Sequence, residues 1–249
     1  MTDANLPRRF LTTRWSLVLS AGDGERPDSQ TALASLCELY WYPVYAFIRR
    51  SGYTSDRSAD LTQAFFARLL AKQFLKDARP DRGRFRWFLL ASVRHFLSNE
   101  RDWENAQKRG GGVAHLPLEF ESVERRYQLE PADDLTPEHV YEQRWALGVF
   151  ETAMTRLAER HATSNRRNFF ARLQPYLTGD APDSPGLLAA ELGMSEGALR
   201  VALHRLRRQF GTVLRATVGE TVASDTDIED ELRYLMDVLS RQRHVDPSL

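Results

Sequence analysis

A helical repeat that breaks once and restarts with its apolar side intact constrains this chain most. It lies between Ala189 and Phe210. A short apolar run ends at Leu192, Gly193 follows, and Leu199, Leu203, Leu206 and Phe210 then recur at helical spacing. Gly193 stands where the chain must leave the first helix with positive φ, which glycine tolerates best. Ser195 is placed to cap the next helix by accepting a bond from a free backbone N–H, and Glu196 suits the positive helix start. The spacing therefore predicts two helices joined by a tight turn. The outer face of the second helix carries Arg200, His204, Arg205, Arg207 and Arg208. Such a helix is shaped to enter a DNA major groove, which makes the stretch a helix-turn-helix. An ordinary helical hairpin with a solvated basic face gives the same pattern.

Net charge is zero, which by itself argues against a nucleic-acid partner, but its distribution is uneven. Residues 1–110 hold 18 basic and 12 acidic side chains, a net +6, and residues 111–140 hold 2 and 7, a net −5. Residues 141–219 hold 11 and 7, a net +4, and residues 220–249 hold 3 and 8, a net −5. Basic segments neutralise phosphates and acidic ones repel them. Nearly all the positive charge is arginine, the better bidentate partner for phosphate and guanine.

Length allows one or two domains, and an apolar content of 42% is enough for a core. The single cysteine, Cys37, excludes an internal disulfide, fits a reducing cytosol, and sits among apolar helix residues as core. The apolar run Leu17-Val18-Leu19 is too short for a signal-peptide core or a membrane span. A soluble, cytoplasmic protein with no membrane partner is expected. Catalytic chemistry finds no foothold. The six histidines are scattered, Gly110-Gly111-Gly112 lacks the lysine of a phosphate loop, and no serine sits in a nucleophile elbow. No enzyme activity, metal or cofactor is implied.

Periodicity predicts an all-α fold. Helices are expected at about 12–20, 31–50 (with Pro43 inside), 56–72 (capped by Ser55 or Asp56) and 85–103. Residues 111–137, with three prolines and several acids, are expected as an irregular acidic linker. Helices resume at about 138–160 and 166–177, followed by the helix-turn-helix and its long second helix to about Thr217. A last amphipathic helix is expected at about 227–242, with Ile228, Leu232, Leu235, Met236 and Leu239 inward. The expected organisation is two helical domains, 1–110 and 138–219, joined by the linker and followed by an acidic C-terminal extension, 220–249.

The order of parts resembles a bacterial RNA polymerase sigma factor of the extracytoplasmic-function group. Leu39 to Arg50 resembles that family's first conserved helix, and Ala59 to Leu69 its polymerase-binding helix. Phe85 to His95 resembles the helix that reads the minus-ten promoter element, and the helix-turn-helix the reader of the minus-thirty-five element. Thr13 to Val18 resembles the start of a subset with an N-terminal extension. The match covers about 12–103 and 140–217.

The resemblance implies a transcription initiation factor. It implies core RNA polymerase and promoter DNA, both duplex and melted strand, as partners, and allows an anti-sigma factor. Core-polymerase contact would fall to Asp60, Gln63, Phe66 and Ala67. The minus-ten element would fall to Arg79, Arg82, Arg84, Phe85, Trp87, Arg94 and Arg101, where arginine and aromatic planes stack on unpaired bases. Ser195, Glu196, Gly197, Arg200, His204, Arg205, Arg207 and Arg208 would meet the minus-thirty-five element. Arg200 and His204, one turn apart, suit base edges, and Arg205, Arg207 and Arg208 suit phosphates. Ala202 departs from the family, which often has a basic residue there. Two alternatives remain: a helix-turn-helix regulator that acts without polymerase, and a sigma-like interaction protein that reads no promoter. The C-terminal extension also admits two readings. It is a helix packed on the second domain, or its acids (Asp227, Glu229, Asp230, Glu231 and Asp237) compete with DNA for the basic recognition helix.

Overall fold

A computed structural model describes residues 27–71, 84–106, 120–129, 135–162, 164–178, 184–222 and 224–245. The helix expected at 12–20, the Thr13–Val18 match and the glycine triplet lie outside the described residues. The fold is all-α. The helices are α1 (Pro27–Arg50), α2 (Ser55–Leu70), α3 (Phe85–Ala106), α4 (Phe120–Leu129) and α5 (Pro137–Arg160). Then come α6 (Ser164–Leu173), the single turn α7 (Pro175–Thr178), α8 (Pro185–Glu191), α9 (Glu196–Gly219) and, after a 3-10 turn, α10 (Ile228–Val245). Among the described residues no strand forms. One isolated bridge joins Arg84 to Val222.

Side-chain caps set several helix starts. Thr54, rather than Ser55 or Asp56, accepts from the Arg57 N–H and opens α2, which leaves Asp56 in the first turn, where a negative charge is favoured. Thr136 opens α5 in the same way, with Pro137 at its first position. Pro43 lies inside α1 without ending it.

One buried cluster runs through both halves of the chain. Tyr40, Val44, Phe47 and Ile48 of α1 meet Leu61, Phe65 and Leu69 of α2, and Phe85, Leu89, Val93 and Phe96 of α3. The same cluster contains Tyr141, Trp145 and Val149 of α5. The most extensive helix pairing is α1 against α5, so the two basic halves share a core. Tyr40 stands edge-on to Phe85 at 4.9 Å, and Phe47 edge-on to Tyr141 at 6.4 Å. Burying each such large side chain contributes about 1.5–3 kcal/mol.

Two expectations need correction. Residues 120–129, expected within an irregular linker, form α4, because Pro117 and Pro131 flank that run and no proline or glycine interrupts it. On α4, Glu124 accepts from Arg49 twice, at 3.0 and 3.2 Å, and from the Tyr45 hydroxyl, which fastens α4 to α1. In α10, Met236, expected inward, faces solvent at 56% exposure, and Val238, not expected inward, is buried. Ile228, Glu231, Leu235 and Val238 form the buried stripe at steps of three, four and three. That stripe packs on α5 and α9.

Candidate nucleic-acid interface

The turn between α8 and α9 forms as the glycine predicted. Gly193 adopts φ +64°, the Met194 N–H donates to Ala189 O at 2.9 Å and the Gly193 N–H to Ala190 O at 3.1 Å. These are the two bonds of a Schellman motif, which satisfies the last carbonyls of α8. Ser195 then accepts from the Ala198 N–H at 3.2 Å and starts α9. Leu199, Leu203 and Leu206 are buried and Phe210 is partly buried, edge-on to Phe150 at 5.1 Å. The opposite side is open. Ser195, Glu196, Gly197, Arg200, His204, Arg205, Arg207 and Arg208 are all exposed. Arg207 is steadied by a bond to the Tyr176 carbonyl at 3.3 Å. Among the described residues no carboxylate pairs with Arg200, His204, Arg205 or Arg208. Beyond Glu196 in the first turn, this face is a row of exposed positive charge in the N-terminal half of the helix.

The α2 residues divide. Asp60 and Gln63 are partly exposed and Ala67 is exposed, at steps of three and four along one stripe. Phe66 is 5% exposed and its ring lies 5.3 Å from that of Phe65, so it belongs to the core and offers no surface to a partner. Helix α2 is wedged between α1 and α3, which widens its buried side beyond the stripe of Leu61, Phe65 and Leu69.

The α3 residues divide as well. Trp87, Arg94 and Arg101 all face outward, as their spacing of seven requires. Trp87 is 41% exposed. Arg94 pairs with Glu138 at the start of α5, and Arg101 donates to the Tyr53 hydroxyl at 2.9 Å. Arg79 and Arg82 lie outside the described residues. Phe85 is fully buried against Tyr40, with its N–H donating to Thr221 O at 3.0 Å. It is a core residue here and does not present a ring for base stacking.

Sequence reasoning passed over Arg86, which proves central. Its side chain is 1% exposed, and Glu231 of α10 meets it with a side chain that is 0% exposed. Arg86 Nε donates to Glu231 Oε1 at 2.6 Å and Nη2 to Oε2 at 3.2 Å. The guanidinium carbon lies 3.9 Å from the Tyr234 ring centre, 4.2 Å from that of Trp87 and 5.2 Å from that of Trp145. Arg84 Nε reaches the same Glu231 Oε2 at 3.2 Å. The signal was present in outline: Glu231 sits on the apolar stripe of α10, where an acid needs a partner.

Four acids of the extension thus pair away from the outward arginine face in the first half of α9. Glu231 takes Arg84 and Arg86, Asp230 takes Arg233 and the edge of Arg84, and Asp237 takes Arg241. Glu229 takes Arg215, on α9 but near its far end. Among the described residues no pair joins them to Arg200, His204, Arg205, Arg207 or Arg208. The extension is a packed helix, and it reaches the first half of the chain as well as the second.

Burial, helped by Glu38, pushes the Cys37 thiol up to about 12, which keeps it protonated and unreactive at neutral pH. Among the described residues no group of three or more histidine, cysteine, aspartate or glutamate side chains could hold a metal ion, and no helix is long and apolar enough to cross a membrane. Comparison with protein-family models, with curated proteins and with solved structures finds no match to this chain. The class defined by the fold is therefore an all-α protein with an exposed arginine face on a long helix that follows a tight turn.

Proposed function

We propose that this protein is a transcription initiation factor of the extracytoplasmic-function sigma kind, acting in the cytoplasm. It binds core RNA polymerase through Asp60, Gln63 and Ala67 on the outer stripe of α2. It reads a minus-ten element with α3 and a minus-thirty-five element with the α8–α9 helix-turn-helix. The single observation that carries the reading is the outer face of α9, where four cationic or titratable side chains stand exposed and, among the described residues, pair with no carboxylate. A face like this is held out of the core at an electrostatic cost and is suited to a polyanion. Arg200 and His204 near the helix start suit base edges, and Arg205 and Arg208 suit phosphates.

Run-off transcription with purified core polymerase and a genomic fragment library, with and without the protein, tests this directly. Discrete new start sites that share two upstream elements are expected. Binding to duplex DNA with no new transcripts and no polymerase binding would make the protein a plain helix-turn-helix regulator. Polymerase binding with neither transcripts nor DNA binding would make it a sigma-like interaction protein.

A further inference from the structure

The start of α3 is held by the C-terminal segment through both backbone and side chains. The Phe85 N–H donates to Thr221 O at 3.0 Å, and Arg84 bridges to Val222. Seven residues beyond Arg84's neighbour in that bridge, α10 begins to deliver its acids. Glu231 Oε2 lies 3.2 Å from Arg84 Nε, and Asp230 Oδ2 lies 4.0 Å from Arg84 Nη2. Arg84 keeps 24% of its side chain exposed, so an outside anion has a way in. Arg86 does not: it is sealed by Trp87, Trp145 and Tyr234 and paired with Glu231 from within.

We propose that α10 is a built-in competitor of single-stranded nucleic acid: its carboxylates occupy Arg84 in the free chain, and a phosphate backbone gains α3 only when α10 lifts. This rests on the reading of α3 as the binder of a melted strand. A carboxylate and a phosphate present the same forked acceptor to a guanidinium, so the two exclude each other at one arginine. The exposed acids Asp230 and Glu229 flank the site and repel a phosphate before contact. The two arginines have different tasks. Arg84 is the contested charge, and Arg86 is the latch that seats Glu231 beside the apolar stripe of Ile228, Leu235 and Val238. Competition of this kind makes DNA binding and α10 docking mutually antagonistic, and each weakens the other by the same factor.

Fluorescence anisotropy with the full chain and a short, labelled single-stranded oligonucleotide of mixed sequence reads the competition. Glu231→Gln is expected to tighten binding about tenfold, within the ordinary range of coupling between sites. Asp230→Asn, which leaves the latch intact, is expected to tighten it about two- to threefold, as suits one exposed pair. Adding Arg84→Ala to either variant is expected to abolish the gain. Hydrogen exchange on the α10 amides, faster in Glu231→Gln than in the parent, accompanies the expected result. Should Glu231→Gln fail to fold, Asp230→Asn carries the decision alone. A parent chain that binds as tightly as Asp230→Asn, or a gain that survives Arg84→Ala, overturns the competitor role while leaving nucleic-acid binding in place. If neither parent nor variants bind single-stranded or duplex DNA at any salt concentration, the functional reading fails and the competitor role falls with it.

Discussion

The start of α3 and the outer face of α9 are both rich in arginine, yet the fold treats them in opposite ways. At α3 the charge is already spent: Arg84 and Arg86 share Glu231, and Arg86 is closed off from water. On α9 the charge is left open, with Arg200, Arg205 and Arg208 facing solvent and in no ion pair among the described residues. A count of basic residues marks both regions as candidate anion binders. Accessibility and pairing separate them, and only the second kind of arginine is free to meet a new partner without first giving one up.

The sharpest way to break the comparison is to unbalance the buried pair. Arg86→Met takes from the buried Glu231 its two-bond partner, leaving only the Arg84 Nε contact at 3.2 Å, and is expected to cost about 3–5 kcal/mol in urea unfolding. Arg86→Met with Glu231→Leu removes both charges and is expected to recover most of that loss. If the single variant unfolds like the parent, Arg86 is not spent charge and the contrast with α9 collapses.

Glu124 offers a milder case of the same internal pairing. Burial would raise its carboxyl, but hydrogen bonds from Arg49, Tyr45 and Gln128, with the Arg49 charge, overcome that and hold it below the ordinary range. A lowered folded value means the unfolded chain takes up the proton more readily, so the pair stabilises the fold above the unfolded glutamate value of about 4.3. That contribution is lost as the pH falls through the lower, folded value. Glu124→Gln is expected to cost about 1.5–3 kcal/mol at neutral pH, the range for hydrogen bonds to a charged group, and to flatten the acid limb of the stability curve. Urea unfolding of parent and variant from pH 7 down to pH 3 checks both. An acid limb that keeps its slope in the variant means other carboxylates set it.

On α9 the expected losses concern binding rather than folding. Arg200→Ala is expected to relax discrimination at one promoter position by about 1–3 kcal/mol. Arg208→Ala is expected to weaken binding to all sequences and to reduce the salt slope by about one. Both are expected to leave the unfolding midpoint near that of the parent, because both residues are exposed and neither is in an ion pair among the described residues. Anisotropy on a set of duplex variants at several salt concentrations separates the two behaviours. Identical behaviour would remove the distinction between base-reading and phosphate-binding arginines.

How far these two regions could be read from the sequence follows from the range of the interactions that make them. The α8–α9 turn is local: Gly193, Ser195 and the leucines at 199, 203 and 206 lie within fifteen residues, and periodicity with capping chemistry locates them all. The outward stripe of Trp87, Arg94 and Arg101 is equally local. The Arg86–Glu231 pair spans 145 positions, and nothing near either residue names the other. The inward placement of Phe66 and Phe85 depends on α1 and on Tyr40, again at long range. Helix α4 escaped notice because prolines bracket it and its anchor, Glu124, is an acid whose partners lie 75 and 79 residues away.

Arg94 and Glu138 supply the smallest test and the most telling control. They link α3 to the start of α5, as Arg86 and Glu231 link α3 to α10, but the side chains are 53% and 35% exposed. Burial beside Glu138 opposes ionisation, yet the Arg94 bond, the helix-start N–H and Thr136 still lower its carboxyl below the usual range. In water a pair this exposed is screened and costs side-chain entropy to hold, so Arg94→Ala is expected to change stability by less than about 1 kcal/mol. The same substitution frees no buried acid. Urea unfolding at low and high salt checks it, and the small difference between Arg94→Ala and its parent is expected to vanish at high salt. A loss as large as that of Arg86→Met would mean that pairing alone, whatever its burial, fastens the two halves together. The division between spent and free arginine would then have to be drawn by partner rather than by exposure.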